Sequence, residues 1–115
     1  MNNVIQVDDN NFEAEVLEST VPVLVDFGAS WCGPCQRQLP IVEKFAGENT
    51  NYKVCKVDID DAPTMAAKFG IRSVPTLMVF NEGASLGTKV GLTSLADISN
   101  FMLVKTAEDK KATQV

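Results

Sequence analysis

The stretch Val21-Pro22-Val23-Leu24-Val25-Asp26-Phe27, followed shortly by Trp31-Cys32-Gly33-Pro34-Cys35, decides the fold of this chain. The first segment is nearly continuous apolar sequence, which is typical of a central strand buried on both faces. Pro22 is expected at the beginning of that strand, because a proline in its interior would lose a ladder hydrogen bond. The second segment places two cysteines where this strand passes into a helix.

Strands and helices alternate on both sides of this stretch. Short apolar runs predict further strands near residues 4–7, 52–57, 75–80 and 88–90, and apolar residues at helical spacing predict helices that begin near residues 10, 34, 61 and 94. The order β-α-β-α-β-α-β-β-α implies parallel strands joined by crossover helices and a closing antiparallel hairpin. We therefore predict an α/β fold with a five-stranded, mainly parallel mixed sheet flanked by four helices.

The length and the ends of the predicted helices suggest the domain organisation. At 115 residues the chain has room for one core, and we predict a single domain over residues 1–104. Asn10 with Glu13 is a predicted capping pair for the first helix, and Asp60 or Asp61 is a predicted cap for the third. Residues 105–115 are polar and charged, and they predict a frayed or disordered tail.

Composition and charge exclude several classes of function. The net charge of −5 disfavours a nucleic-acid binder, which usually presents a basic face. No apolar run approaches the roughly 20 residues that cross a bilayer, and the first residues lack the pattern of a secretory signal, so we expect a cytoplasmic protein without a membrane segment. The chain has no histidine, which excludes Ser-His-Asp and Cys-His hydrolases and most catalytic zinc sites.

Cys32 and Cys35 carry the predicted chemistry. Residues three apart at a helix start lie on one face, within disulfide reach. Free backbone N–H groups and the positive end of the helix dipole favour a thiolate there, so Cys32 at the very start is the expected nucleophile and Cys35 the resolving thiol. Gly33 and Pro34 suit a tight turn into the helix.

Other readings of these cysteines remain open. A structural disulfide would close a very short loop and would be reduced in a cytosol. Half of a zinc site would need four ligands, whereas the third cysteine, Cys55, stands alone in a predicted strand and reads as a small core residue. The acidic group Asp58, Asp60 and Asp61 admits a cation site, but turn and cap roles are favoured.

The sequence resembles the thioredoxin family over roughly residues 3 to 104. The matching segments are Val25-Asp26-Phe27, Ala29-Ser30-Trp31-Cys32-Gly33-Pro34-Cys35, Pro40, Lys56-Val57-Asp58-Ile59-Asp60, Gly70-Ile71-Arg72-Ser73-Val74-Pro75-Thr76 and Lys89-Val90-Gly91. The resemblance implies the thioredoxin fold and a protein disulfide reductase that cycles between the Cys32/Cys35 dithiol and its disulfide.

The resemblance also implies roles for other residues. Asp26, whose burial should raise its pKa, would accept the proton that lets Cys35 attack a mixed disulfide, and Lys56 would be its charge partner. Plainer alternatives are a hydrogen-bonded carboxylate and a solvated lysine. Pro75 would follow a cis peptide bond, and the backbone of Val74 would meet an extended substrate segment. Four residues would form the apolar rim around Cys32, namely Trp31, Val74, Pro75 and Gly91, with ordinary packing as the alternative for Trp31.

Two residues depart from the family pattern. Gly28 stands where the family usually has a large aromatic residue, and Gln36 where it usually has a basic one. Both leave the reaction type intact and put partner preference and redox potential in question.

The expected partners follow from the same resemblance. They are disulfide-containing proteins and a thioredoxin reductase that draws on NADPH, with no cofactor bound to this chain, no nucleic acid and no membrane, and a monomer as the default. The alternatives are a disulfide oxidase or isomerase, and a binding subunit of a larger assembly that does not use the thiols.

Overall fold

The computed structural model describes residues 3–113. Within them the order of elements is β1 (Val4–Val7), a short π-helix (Glu13–Leu17), β2 (Val23–Gly28), α1 (Gly33–Glu48), β3 (Lys53–Asp58), α2 (Pro63–Lys68), β4 (Thr76–Asn81), β5 (Ala84–Val90) and α3 (Leu95–Thr113). The predicted α/β class, the five strands and the four helices are therefore confirmed. No helix among these residues is both long and apolar enough to cross a membrane.

The five strands form one mixed sheet in the order β1-β3-β2-β4-β5. β1 and β2 each pair with β3 in parallel, whereas β4 runs antiparallel to both β2 and β5. β2 thus lies at the centre, as its apolar sequence predicted. The loop after this strand leads to the two cysteines at the start of α1.

Alternating side chains of β2 enter two different cores. Leu24 packs with residues of α1 and α3 on one face of the sheet. Val23, Val25 and Phe27 pack on the other face, which is filled by an aromatic group of Phe12, Phe27, Phe69 and Phe80. Because side chains alternate along a strand, Asp26 lies on the same face as Leu24 and is directed toward α1.

The predicted helix caps are not the observed ones. The π-helix has no side-chain cap, and Asn10 and Glu13 do not form a capping pair. Asp9, distant in sequence, accepts hydrogen bonds from the backbone N–H groups of Thr64 and Met65 at 3.0 Å and so fills the cap role predicted for Asp60 or Asp61. The sequence pattern favoured a carboxylate next to the helix as its cap. In the structure the cap is Asp9, which lies in the loop after β1.

α3 continues as a helix through residues 105–113, in the segment for which a frayed or disordered tail is predicted, and residues 114–115 lie outside the described residues. The extension is tied to the β4–β5 hairpin, because Asn81 Nδ2 donates to Asp109 Oδ2 at 2.9 Å. The aliphatic part of Lys105 also lies against Gly87, where a Cβ atom would come within 2.8 Å of Lys105 Cε. These contacts connect a polar helical segment to β4 and β5.

Candidate active site

The active-site loop forms where β2 ends and α1 begins. Cys32 is the N-cap residue of α1, with extended backbone angles, and its Sγ accepts a hydrogen bond from the backbone N–H of Cys35 at 3.2 Å. Pro34 occupies the first turn, where a helix needs no N–H donor. The sulfur of Cys32 thus takes the place of a capping oxygen at the positive end of the helix dipole, the environment that favours a thiolate.

Cys32 and Cys35 are joined by a disulfide bond, with their Cα atoms 5.2 Å apart. Both residues are almost completely buried, together with Ala29. The dithiol–disulfide pair predicted from the sequence is therefore formed by the fold.

Two loops distant in sequence meet beside Cys32. The Val74–Pro75 peptide bond is cis, as the resemblance implied, and the Sγ of Cys32 lies 3.7 Å from the carbonyl oxygen of Val74. The carbonyl of Pro75 accepts a hydrogen bond from the N–H of Gly91 at 2.8 Å, and Gly91 has a φ of 96°, a value that favours glycine. Val74, Pro75 and Gly91 are thereby brought together at the site.

Trp31 stands in front of this site and is 68% exposed. Its Nε1 donates a hydrogen bond to Asp60 Oδ2 at 2.9 Å, so the indole is held even though it packs little. This result disfavours the alternative of ordinary core packing. The partner role of Asp60 was missed, since it joins positions 29 residues apart that share no sequence pattern.

Asp26 lies behind the cysteines as a buried carboxyl group. Its Oδ1 has no hydrogen-bond partner among the described residues. Burial raises the pKa of Asp26 to about 7, and the positive charge of Lys56, its neighbour in register on β3, opposes that rise. A carboxyl group with a pKa near neutrality can take up and return a proton at physiological pH.

A pocket of about 250 Å³ connects Asp26 to the surface. Cys35, Asp26 and Lys56 all line it, so the structure brings together the three residues that the resemblance assigned to proton transfer. Gly28 lines it too, and a Cβ atom at Gly28 would lie 3.4 Å from the Cβ and 3.5 Å from the Sγ of Cys35. The missing side chain at this position thus leaves open space against Cys35.

Gln36, the second departure from the family pattern, takes part in the loop itself. Its Nε2 donates to the carbonyl oxygen of Ser30 at 3.2 Å, across the turn that carries the cysteines. An uncharged side chain therefore holds this turn.

The sequence analysis missed Gln38, which is completely buried on the inner face of α1. Its amide pairs with the backbone of Thr93, donating to the carbonyl at 2.9 Å and accepting from the N–H at 2.8 Å. The sequence does contain a sign that Gln38 is buried, because it lies at helical spacing between Cys35 and Val42 on the apolar face of the helix. A polar residue at such a position indicates a specific buried hydrogen bond.

The third cysteine lies in the core, whereas the acidic group borders the site, where Asp58 and Asp61 line the pocket that contains Asp26. Cys55 is free and fully buried, and burial raises the pKa of its thiol to about 12, so the thiol stays protonated. This confirms its reading as a core residue. Asp58 accepts from the N–H of Asp60 at 2.9 Å in a turn, and the described residues contain no group of three or more His, Cys, Asp or Glu residues placed to hold a metal ion.

Comparisons with known proteins agree with this geometry. The family model described as thioredoxin matches residues 3–104. The chain is 49% identical over 89 residues to a thioredoxin of Pyropia yezoensis, covering 76% of this chain and 83% of that protein. It is 45% identical over 97 residues to thioredoxin 1 of Synechococcus elongatus, covering 84% and 91%, and 48% identical over 87 residues to a thioredoxin of Rickettsia felis, covering 75% and 83%. The chain belongs to the thioredoxin family and is a thiol–disulfide oxidoreductase whose redox pair is Cys32 and Cys35.

Proposed function

We propose that this protein reduces disulfide bonds in other proteins, with Cys32 as the attacking thiol and Cys35 as the resolving thiol. The observation that carries the proposal is the hydrogen bond from the Cys35 N–H to Cys32 Sγ at the start of α1. This donor and the helix dipole both stabilise negative charge on Cys32 and leave Cys35 one turn deeper, beside Asp26.

The reaction proceeds in two exchanges. The Cys32 thiolate attacks one sulfur of a substrate disulfide, forms a mixed disulfide and releases the other substrate sulfur as a thiolate, which takes up a proton. Asp26 then accepts the proton of Cys35, whose thiolate attacks Cys32 Sγ. The Cys32–Cys35 bond forms, the second substrate sulfur leaves as a thiolate, and two electrons have passed to the substrate.

The exposed apolar surface beside Cys32 supports a protein as the substrate. Trp31 is 68% exposed, and Val90 and Leu92, on either side of Gly91, are 65% and 48% exposed. Gly91, between Val90 and Leu92, is hydrogen-bonded to Pro75 next to Cys32, and exposed apolar side chains near a reactive group favour contact with a protein. An extended substrate segment would lie along the backbone of Val74, by strand-like hydrogen bonding, with its disulfide over Cys32.

The dithiol must be restored after each turnover. We propose that a thioredoxin reductase supplies the two electrons from NADPH, and that the protein works as a monomer. A reductant needs a compartment that keeps its own thiols reduced, which favours the cytoplasm. The reductase is tested by coupled oxidation of NADPH with a thioredoxin reductase. Sedimentation of the reduced protein tests the monomer, and fractionation of the source cells tests the cytoplasmic location.

The experiment that tests the central proposal is dithiol-driven reduction of insulin by wild type, Cys32→Ser and Cys35→Ser. We expect wild type to accelerate the reaction well above free dithiol and both variants to lose that acceleration. Cys55→Ala is the matched control, because it removes the buried third thiol and should keep the activity. A wild type no faster than free dithiol would overturn the proposal and favour a binding subunit, and a strongly oxidising potential would favour an oxidase or isomerase.

A further inference from the structure

Gln38 connects the active-site helix to the loop that follows β5. Its side chain is fully buried, and the amide makes both a donor and an acceptor bond to Thr93, 55 residues away. Thr93 is itself buried. The amide of Gln38 therefore binds the backbone at Thr93 and is not exposed to solvent.

The contacts of Gln38 extend toward the cysteines. Thr93 Oγ1 donates to the carbonyl of Gly91 at 3.0 Å, and the N–H of Gly91 donates to the carbonyl of Pro75 at 2.8 Å. Pro75 follows Val74, whose carbonyl lies 3.7 Å from Cys32 Sγ. A continuous series of contacts thus runs from α1 through residues 91–93 to the sulfur that meets the substrate.

The segment held in this way carries Gly91 of the apolar rim, which has an exposed apolar residue on either side. Val90 and Leu92 flank Gly91 and expose most and about half of their side chains, respectively. Val90 is also held by its pairing with Thr76 in β4, whereas the position of Leu92 depends on where residues 91–93 lie. Gln38 bonds this segment to α1. The rim can therefore be displaced without any change to the cysteines.

We propose that Gln38 is a positioning residue that fixes the segment 91–93 against α1 and thereby sets how tightly protein disulfides dock. The inference rests on the proposed function, since it assumes that the exposed rim meets a protein substrate. Gln38 touches neither cysteine sulfur through its hydrogen bonds, so its effect is on substrate binding and not on thiol exchange.

An apolar replacement at Gln38 would leave the N–H and carbonyl of Thr93 buried without partners. Such groups recover hydrogen bonds by moving to water. The segment 91–93 would shift outward, taking Leu92 and the Gly91–Pro75 bond with it.

The test compares Gln38→Leu with the control Asn49→Ala on two substrates. Asn49 Nδ2 donates to the Phe45 carbonyl at 2.9 Å at the far end of α1, so the control also removes an amide hydrogen bond from this helix. Insulin presents a chain that must contact the rim, whereas a small aromatic disulfide needs little beyond Cys32. For Gln38→Leu we expect the KM for insulin to rise about tenfold with kcat nearly constant, the pattern of lost binding, and the rate with the small disulfide to change less than about twofold.

Equal losses on both substrates, or the same KM change in Asn49→Ala, would overturn the inference. A wild type that reduces neither substrate would instead mean that the proposed function has failed. If Gln38→Leu does not fold, Thr93→Val removes only the bond to the Gly91 carbonyl and should raise the insulin KM to a smaller extent. Amide hydrogen exchange gives an independent readout, because faster exchange at Gly91 without change along β2 supports the inference and uniform acceleration contradicts it.

Discussion

Two buried polar side chains lie close to the active site, Asp26 on β2 and Gln38 on α1, and they differ in their hydrogen bonding. Asp26, behind Cys35, has an oxygen without a hydrogen-bond partner among the described residues and a pKa raised to about 7. Gln38, beside the segment 91–93, has a neutral amide whose two hydrogen bonds to Thr93 are both formed. Asp26 thus has an oxygen without a hydrogen bond, whereas both the nitrogen and the oxygen of the Gln38 amide are hydrogen-bonded.

The difference separates a group that reacts from a group that positions. A buried carboxyl group has a raised pKa, here near neutral pH, and its ionisation opposes folding. A buried amide with both bonds made favours one arrangement of the backbone and contributes no titration. The same replacement by leucine should therefore have opposite effects at the two sites.

Asp26→Leu should show the largest effect, an increase in the free energy of unfolding at pH 8. The folded-state pKa of about 7 lies above the unfolded value of 3.8, so folded wild type keeps a proton that the unfolded chain releases between these values. The contribution of Asp26 to wild-type stability consequently falls as the pH rises from 3.8 to about 7, by about 4 kcal/mol.

The variant lacks this dependence, so the gap between the two proteins should be largest at pH 8 and close toward pH 4. Denaturant unfolding across this pH range provides the measurement. A constant difference at all pH values would contradict an ionisable, poorly solvated Asp26.

The same variant should reduce insulin roughly tenfold more slowly at pH 7, because Cys35 loses its proton acceptor.

Gln38→Leu should lower the free energy of unfolding by about 2 kcal/mol, since two buried backbone groups of Thr93 lose their partners. The loss should be the same at pH 5 and pH 8, because neither Gln38 nor Thr93 titrates. Denaturant unfolding at both pH values measures it. An unchanged or higher stability would erase the contrast with Asp26.

Lys56→Met should raise the pKa of Asp26 further, since the charge of Lys56 opposes the effect of burial. We expect the pH–activity profile to move to higher pH. The rate near pH 7 should fall roughly threefold, because less of Asp26 is then ionised. Titration of the Asp26 carboxyl by NMR tests the cause directly. The exposed Lys44 of α1 provides the matched control, and an equal displacement in Lys44→Met would point to net charge instead.

Gly28→Ala should have the smallest effect, a gain of about 0.5 kcal/mol in stability. The methyl group meets Cys35 at ordinary contact distance, and alanine reduces the freedom of the unfolded chain. Thermal unfolding of the oxidised protein measures it. A loss of stability would mean that the space beside Cys35 does not accept even one carbon atom.

Local patterns predicted most of the fold and the reactive pair. The apolar run of β2, the alternation of strands with helices and the placement of Cys32 at a helix start are all properties of neighbouring residues. Asp26 lies within that apolar run, so its burial could be predicted, and this burial raises its pKa as expected.

The features that the sequence did not predict join distant segments. Asp9 caps α2, Asp60 holds Trp31, Gln38 holds Thr93 and Asp109 bonds Asn81. Each contact depends on how the elements pack, and periodicity carries no information about it. The polar extension at the end of α3 likewise contacts a distant segment, the β4–β5 hairpin.

The division of labour between the two thiols is tested most directly by trapping the mixed disulfide. Reduced Cys35→Ser is mixed with insulin, quenched with acid, and examined by mass spectrometry after digestion. The account predicts an accumulating adduct in which Cys32 is bonded to a substrate cysteine, and no adduct with Cys32→Ser. Failure of Cys35→Ser to accumulate the adduct, or an adduct on Cys35 in Cys32→Ser, would contradict Cys32 as the attacking thiol.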